Sequence, residues 1–241
     1  IIGGAGMVGR KLAERLATDG KLGGKTISAL TLYDVVPPQK PAGATFPVTI
    51  ATGDLPAPGE TDKLVADKPD VIFHLAAIVS GEAEQEFDKG YRINLQGTMN
   101  LIDSVRRAGN KPRLVFTSSI AVFGAPFPDK IGDEFFSTPL TSYGTQKAIG
   151  ELLISDYTRK GLLDGVSMLR IGHCAPRLAK GAAFIAQSGN LSLNVTMSQR
   201  SVPLAYVVSC GNQAQLEVAD YMDVLIDDPR VTAIGLYVEA I

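Results

Sequence analysis

The residues of this 241-residue chain whose types and spacing could do chemistry together are Tyr143 and Lys147, in SYGTQKAIGE, and Ser119, ending RLVFTSS. A Tyr and a Lys at i and i+4 stand one turn apart on the same face of a helix. An ammonium beside a phenol stabilises phenolate, which lowers the Tyr pKa toward working pH and lets the phenol exchange a proton with a substrate hydroxyl or carbonyl. Lys147 could also hold a ribose. Ser119 ends an apolar strand, at the carboxyl edge where parallel sheets bind ligands, and its hydroxyl can orient a substrate oxygen. Adjacent Ser118 is the weaker choice. Tyr-Lys pairs at this spacing are common on amphipathic helices, so the pair gains meaning only from its surroundings.

Those surroundings begin with GGAGMVG, which sets Gly3, Gly6 and Gly9 three residues apart between an apolar strand end and a helical pattern. Small residues there let backbone amides at a helix N-terminus, with Met7 and Val8 among the main-chain contacts, approach a pyrophosphate. Asp34 follows the second apolar run, where a carboxylate accepts from both ribose hydroxyls and repels a 2'-phosphate. This favours NAD over NADP as cofactor. Asp54, in GDL beside Leu55, could reach an adenine edge, Leu75, Ala76 and Ala77 supply small apolar walls, and Ser80 and Gly81 continue that loop toward the substrate.

The elements needed to position these groups are visible as apolar runs alternating with helical patterns. Residues 27 to 35, 71 to 77, 113 to 119 and 166 to 171 read as buried strands, and Val8 to Ala17, Tyr91 to Val105 and Tyr143 to Tyr157 as helices. Such alternation implies right-handed crossovers and an α/β fold with a mostly parallel, doubly wound sheet. The proline-rich VVPPQKPAGATFP interrupts it as a surface loop. The chain opens as though inside a strand, so a few residues before Ile1 are expected.

With 23 basic and 25 acidic residues the formal charge is -2 and no long run has one sign, which argues against nucleic acid or an anionic membrane as partner. No apolar run approaches the ~20 residues of a membrane-spanning helix, and a cytoplasmic location is expected. Two Cys, Cys174 and Cys210, are too few for a disulfide framework, and with only two His, His74 and His173, no metal site can be assembled.

Taken together, these residues resemble the short-chain dehydrogenase/reductase superfamily, in its extended epimerase/dehydratase branch, over residues 1–172. The resemblance implies a Rossmann-type fold with NAD as cofactor. In that family the serine stands two residues before a V-aromatic-G triplet, which picks Ser119 in SSIAVFG, makes Tyr143 the proton-transfer residue, and gives Asn94 in YRINLQGT a supporting role toward the Lys through water. The segments FHLAAIVSGEAEQEFDKGYRINLQGTMNLI, FTSSIAVFGAPFPD and TSYGTQKAIGELLISDY are similar to sugar-acid dehydrogenases of that branch. They imply NAD-dependent oxidation of a secondary alcohol on a small sugar acid, with Tyr143 as base. A nucleotide-sugar epimerase or dehydratase is the alternative, and a homodimer paired through the helices of Asn94 and Tyr143 is implied by resemblance alone.

After Arg170 the pattern changes. GAAFIAQSGNLSLNV, VVSCGNQAQLEVADYMDVLIDDPR and AIGLYVEAI form a second unit, 173–241, resembling an incomplete flavodoxin-like α/β segment of NDP-forming acyl-CoA synthetases. There Gln187, Ser188 and Gly189 match a phosphate-binding turn and Glu239 a residue supporting a phosphorylated His. That His would lie beyond Ile241, so ligase activity is not expected. Because this unit stands where a substrate-binding region would continue, a chimera or fragment that binds NAD without turnover is a third reading.

Overall fold

The computed structural model describes residues 1–124, 131, 135–171, 180–187, 204–209 and 218–238, with the backbone alone for 165–171 and 209. The chain divides into two compact units, Ile1–Ile171 and Gly172–Ile241.

In the first unit, α1 (Met7–Asp19) stops at Gly20, which takes the left-handed conformation that lets its amide close on the Leu16 carbonyl. A small antiparallel hairpin, β1 (Lys21–Leu22) and β2 (Lys25–Thr26), precedes the main sheet. That sheet contains β3 (Leu30–Asp34), β4 (Val48–Thr52), β5 (Val71–His74), β6 (Arg113–Ser119) and β7 (Gly165–Ile171). β3 pairs with β4, β5 with β6 and β6 with β7, all parallel, and Ile2 bridges Tyr33 on one side and His74 on the other. The order is therefore β4-β3-Ile2-β5-β6-β7, the doubly wound arrangement expected from the alternating sequence.

The core forms between sheet and helices. Leu101, Ile102 and Val105 of α5 (Gly97–Ala108) and Ile154 of α6 (Ser142–Arg159) pack with Ile2, Ile72, Leu114 and Phe116. Gly150 brings α6 down on the Phe116 ring, where a Cβ would lie 3.0 Å from the ring tip. The single helix expected over 91 to 105 is two pieces, a π-helical turn at Tyr91–Gln96 running into α5. A π-turn inserts a residue without interrupting the apolar face, so the apolar pattern alone does not reveal it. Three short helices, α2 (Glu60–Val65), α3 (Ser80–Gln85) and α4 (Phe87–Gly90), complete this unit's described helices outside a 3-10 turn at Ile120–Val122.

The second unit is a parallel three-stranded sheet of β8 (Gly181–Ala186), β9 (Leu204–Ser209) and β10 (Val231–Tyr237), in the order β10-β8-β9. Helix α7 (Val218–Leu225) covers it, burying Leu225 with Ala183 and Ile185. Arg230 and Tyr206 both donate to Asp228, which holds that carboxyl well below the usual range. His173, Cys174, Ser188, Gly189, Cys210 and Glu239 lie outside the described residues.

Candidate active site

The glycine-rich turn is built by close backbone approach. Gly3 takes φ 94°, and a Cβ on it would lie 2.6 Å from the Ala76 amide nitrogen. A Cβ on Gly9 would overlap the Gly3 carbonyl oxygen. Gly6 differs, because it is exposed and its Cβ would meet nothing closer than 3.4 Å within the protein. It caps α1 with no side-chain hydrogen bond and no acidic residue in the first turn, so the Met7 and Val8 amides and the helix dipole remain free for an anion.

Asp34, at the end of β3, accepts from the Ala5 amide (2.9 Å) and the Val35 amide (2.7 Å), which fixes its carboxylate beside that turn. Asp54 is held by Arg92 through two hydrogen bonds of 2.6 and 3.3 Å, a partner the sequence reading did not foresee. The Leu55 side chain belongs to the core and packs under Gly97, leaving only its main chain for a ligand. Leu75 and Ala76 both donate to the Ile2 carbonyl, and Ala77 and Ile78 follow them into α3, whose first residue is Ser80.

Asn94 sits on the π-helical turn and is buried. Its amide accepts from the Ile78 amide (2.9 Å) and donates to the Ile78 carbonyl (3.1 Å) and to Gln146 Oε1 (2.8 Å). It therefore clamps the loop after β5 to α6. His74, fully buried on β5, shares the same network. Thr98 Oγ1 donates to the Asn94 carbonyl (2.7 Å), so His74 Nε2 donates to Thr98 (2.9 Å), and burial together with the charge of Lys147 depresses its pKa to about 3. This is a neutral, structural imidazole.

Ser119, Tyr143 and Lys147 are brought together. The β6 strand ends at Ser119, whose Oγ accepts from the Ala121 amide (3.1 Å) and lies near enough to the Tyr143 phenol to draw its pKa down. Helix α6 is capped by Thr141, whose hydroxyl accepts from the Gly144 amide (3.0 Å). Gly144 presses on the stretch following Ser119 so closely that a Cβ would overlap the Ala121 carbonyl oxygen. Lys147 lies beneath, its Nζ 2.8 Å from the Thr117 carbonyl, 4.8 Å from the Phe116 ring centroid and 5.8 Å from that of Tyr143.

The electrostatics correct one expectation. Burial pushes the Tyr143 phenol up and the nearby Ser119 pulls it the other way, while Lys147 spends its nearest contact on Thr117. Burial also pulls Lys147 down to about 8. Ser118, by contrast, is buried with its hydroxyl lacking a hydrogen-bond partner among the described residues. Among these residues no group of three His, Cys, Asp or Glu could hold a metal ion, and no helix is long and apolar enough to cross a membrane.

Sheets of this order bind dinucleotides where the strand order reverses, next to the first glycine-rich turn, and a dinucleotide-binding α/β protein is the class that fold and site define. Residues 1–199 match the NAD dependent epimerase/dehydratase family, and the chain belongs to that family, whose cofactor is NAD. Residues 179–241 match the succinyl-CoA ligase like flavodoxin domain.

Among curated relatives, D-erythronate dehydrogenase of Cupriavidus necator is 46% identical over 169 residues, 68% of this chain and 52% of the relative. That of Haemophilus influenzae is 43% identical over 166 residues, 69% and 51% respectively. The chain thus spans about half the length of these relatives. A nucleoside-diphosphate-sugar epimerase from Agrobacterium tumefaciens superposes with a TM-score of 0.70 at 59% identity, covering 78% of this chain and 55% of that one. A Thermus thermophilus UDP-glucose 4-epimerase in complex with NAD shares the fold at 21% identity, with a TM-score of 0.60 over 86% of this chain and 76% of that one.

Proposed function

We propose that the chain oxidises a secondary alcohol on a small sugar acid, using NAD, with Tyr143 as the base. The observation that carries this reading is the placement of Tyr143 and the buried Lys147 one turn apart on α6, with Lys147 Nζ on the Thr117 carbonyl of β6 and Ser119 at the carboxyl end of that strand. The similarity to D-erythronate dehydrogenases supplies the substrate class.

The residues fit the cofactor. The uncapped first turn of α1 would take the pyrophosphate, Gly6 leaves room for its approach, and Asp34 would accept from the adenosine ribose hydroxyls while disfavouring a 2'-phosphate. When bound, NAD supplies the ring carbon that accepts a hydride. Tyr143 Oη takes the alcohol proton while the Ser119 hydroxyl donates to the substrate oxygen. Lys147, fixed by the Thr117 carbonyl, keeps a positive charge under that proton transfer.

Steady-state NADH production from D-erythronate tests the reading. Tyr143→Phe should cut kcat by about 10³-fold or more while the Kd for NAD stays within about threefold. NAD binding without turnover of the unaltered chain would instead support a nucleotide-binding protein without catalysis. The 59% identity to a nucleoside-diphosphate-sugar epimerase favours a second reading, epimerisation of a nucleotide sugar. Conversion of a UDP-sugar with no net NADH would support it.

A further inference from the structure

The backbone amide of Tyr143 on helix α6 is met by a side chain 59 positions earlier. Thr141 satisfies the Gly144 amide as an ordinary local cap. The amide of Tyr143 itself is taken by Glu84 Oε1 at 3.0 Å, from α3. A carboxylate at a helix first turn is favoured by the dipole and makes a stronger hydrogen bond than a neutral acceptor. Here it acts on the backbone of the residue that must aim its phenol at Ser119.

Glu84 is itself held. Ala83 beside it is fully buried and donates to the Val79 carbonyl, and the preceding Ile78 is clamped by Asn94. The neighbouring Glu82 and Glu86 face another way, pairing with Lys89. Ser80 stands four residues before Glu84, so the short helix that offers a candidate substrate hydroxyl also sets the tyrosine.

We propose that Glu84 is a positioning residue for Tyr143, fixing the phenol against Ser119 by accepting the Tyr143 amide hydrogen. In its kinetic arm the proposal rests on the dehydrogenase reading above. In its spectroscopic arm it does not.

The test uses the full chain and two variants, Glu84→Ala, which removes the acceptor, and Glu84→Gln, which keeps an oxygen in its place. With D-erythronate and NAD, E84A should lower kcat ~10- to 100-fold with the KM for NAD within about twofold, since a misplaced group costs rate without touching the dinucleotide residues on α1 and β3. E84Q should recover kcat to within about threefold of the unaltered chain. A kcat for E84A equal to that of the unaltered chain would overturn the proposal, as would an E84Q no better than E84A.

Independently of any substrate, tyrosine labelled with 13C at Cζ, assigned through Y143F, should give a Tyr143 signal that shifts in E84A and stays put in E84Q. An unmoved signal in E84A sinks the proposal even if D-erythronate is not a substrate.

Discussion

At the scale of single residues, the site sets function against stability most sharply at Lys147. Its folded pKa of about 8 lies below the ordinary value of 10.5. Below pH 8 the fold must bury an ammonium that the unfolded chain leaves in water. Between pH 8 and 10.5 the unfolded chain holds a proton that the folded one has released, so stability rises with pH through that window. The burial corresponds to roughly 3 kcal/mol. Lys147→Met should therefore abolish turnover yet stabilise the protein by about 1–2 kcal/mol at pH 7, the lost Thr117 hydrogen bond offsetting part of the gain. Urea unfolding at pH 7 and pH 10 checks this, and the advantage of the Met variant should shrink at the higher pH. Tyr143, Lys147 and Ser119 were legible in the sequence because their spacing and strand-end placement are local. Glu84, Gln146 and the Thr117 carbonyl were not, since each acts across a gap that no local pattern encodes.

At the scale of elements, the glycine turn separates what the fold needs from what a ligand needs. Gly9→Ala places a methyl on the Gly3 carbonyl and should cost about 3 kcal/mol of stability. Gly6→Ala meets only the Gly3 carbonyl oxygen, at 3.4 Å, so it should melt within about 2 °C of the parent while its Kd for NAD rises ~10-fold or more. Thermal melts and calorimetric titration distinguish the two. Strands β3, β5, β6 and β7 announced themselves as apolar runs. VTIAT, which became β4, did not, because two of its five residues are threonine and none of the five is fully buried. The acidic SGEAEQ of α3 showed no apolar stripe, although its one fully buried residue, Ala83, suffices to dock so short a helix.

At the scale of the whole molecule, the first unit contains every group proposed for cofactor and proton transfer. Residues 1–172 expressed alone should therefore bind NAD with a Kd within about threefold of the full chain, measured by calorimetry, because binding energy comes from the contacts present. The change of pattern after Arg170 was readable from motifs, although composition did not mark it. What was not readable is the backbone registration that unites Ser119 with Tyr143. The glycine at 144, seated on the Ala121 carbonyl, sets how near the strand end and the helix start can come. Anyone transplanting the Ser, Tyr and Lys side chains onto a different scaffold would have to copy that approach of main chain to main chain as well. A graft with a wider gap would reproduce the functional groups without the distance over which their proton must pass.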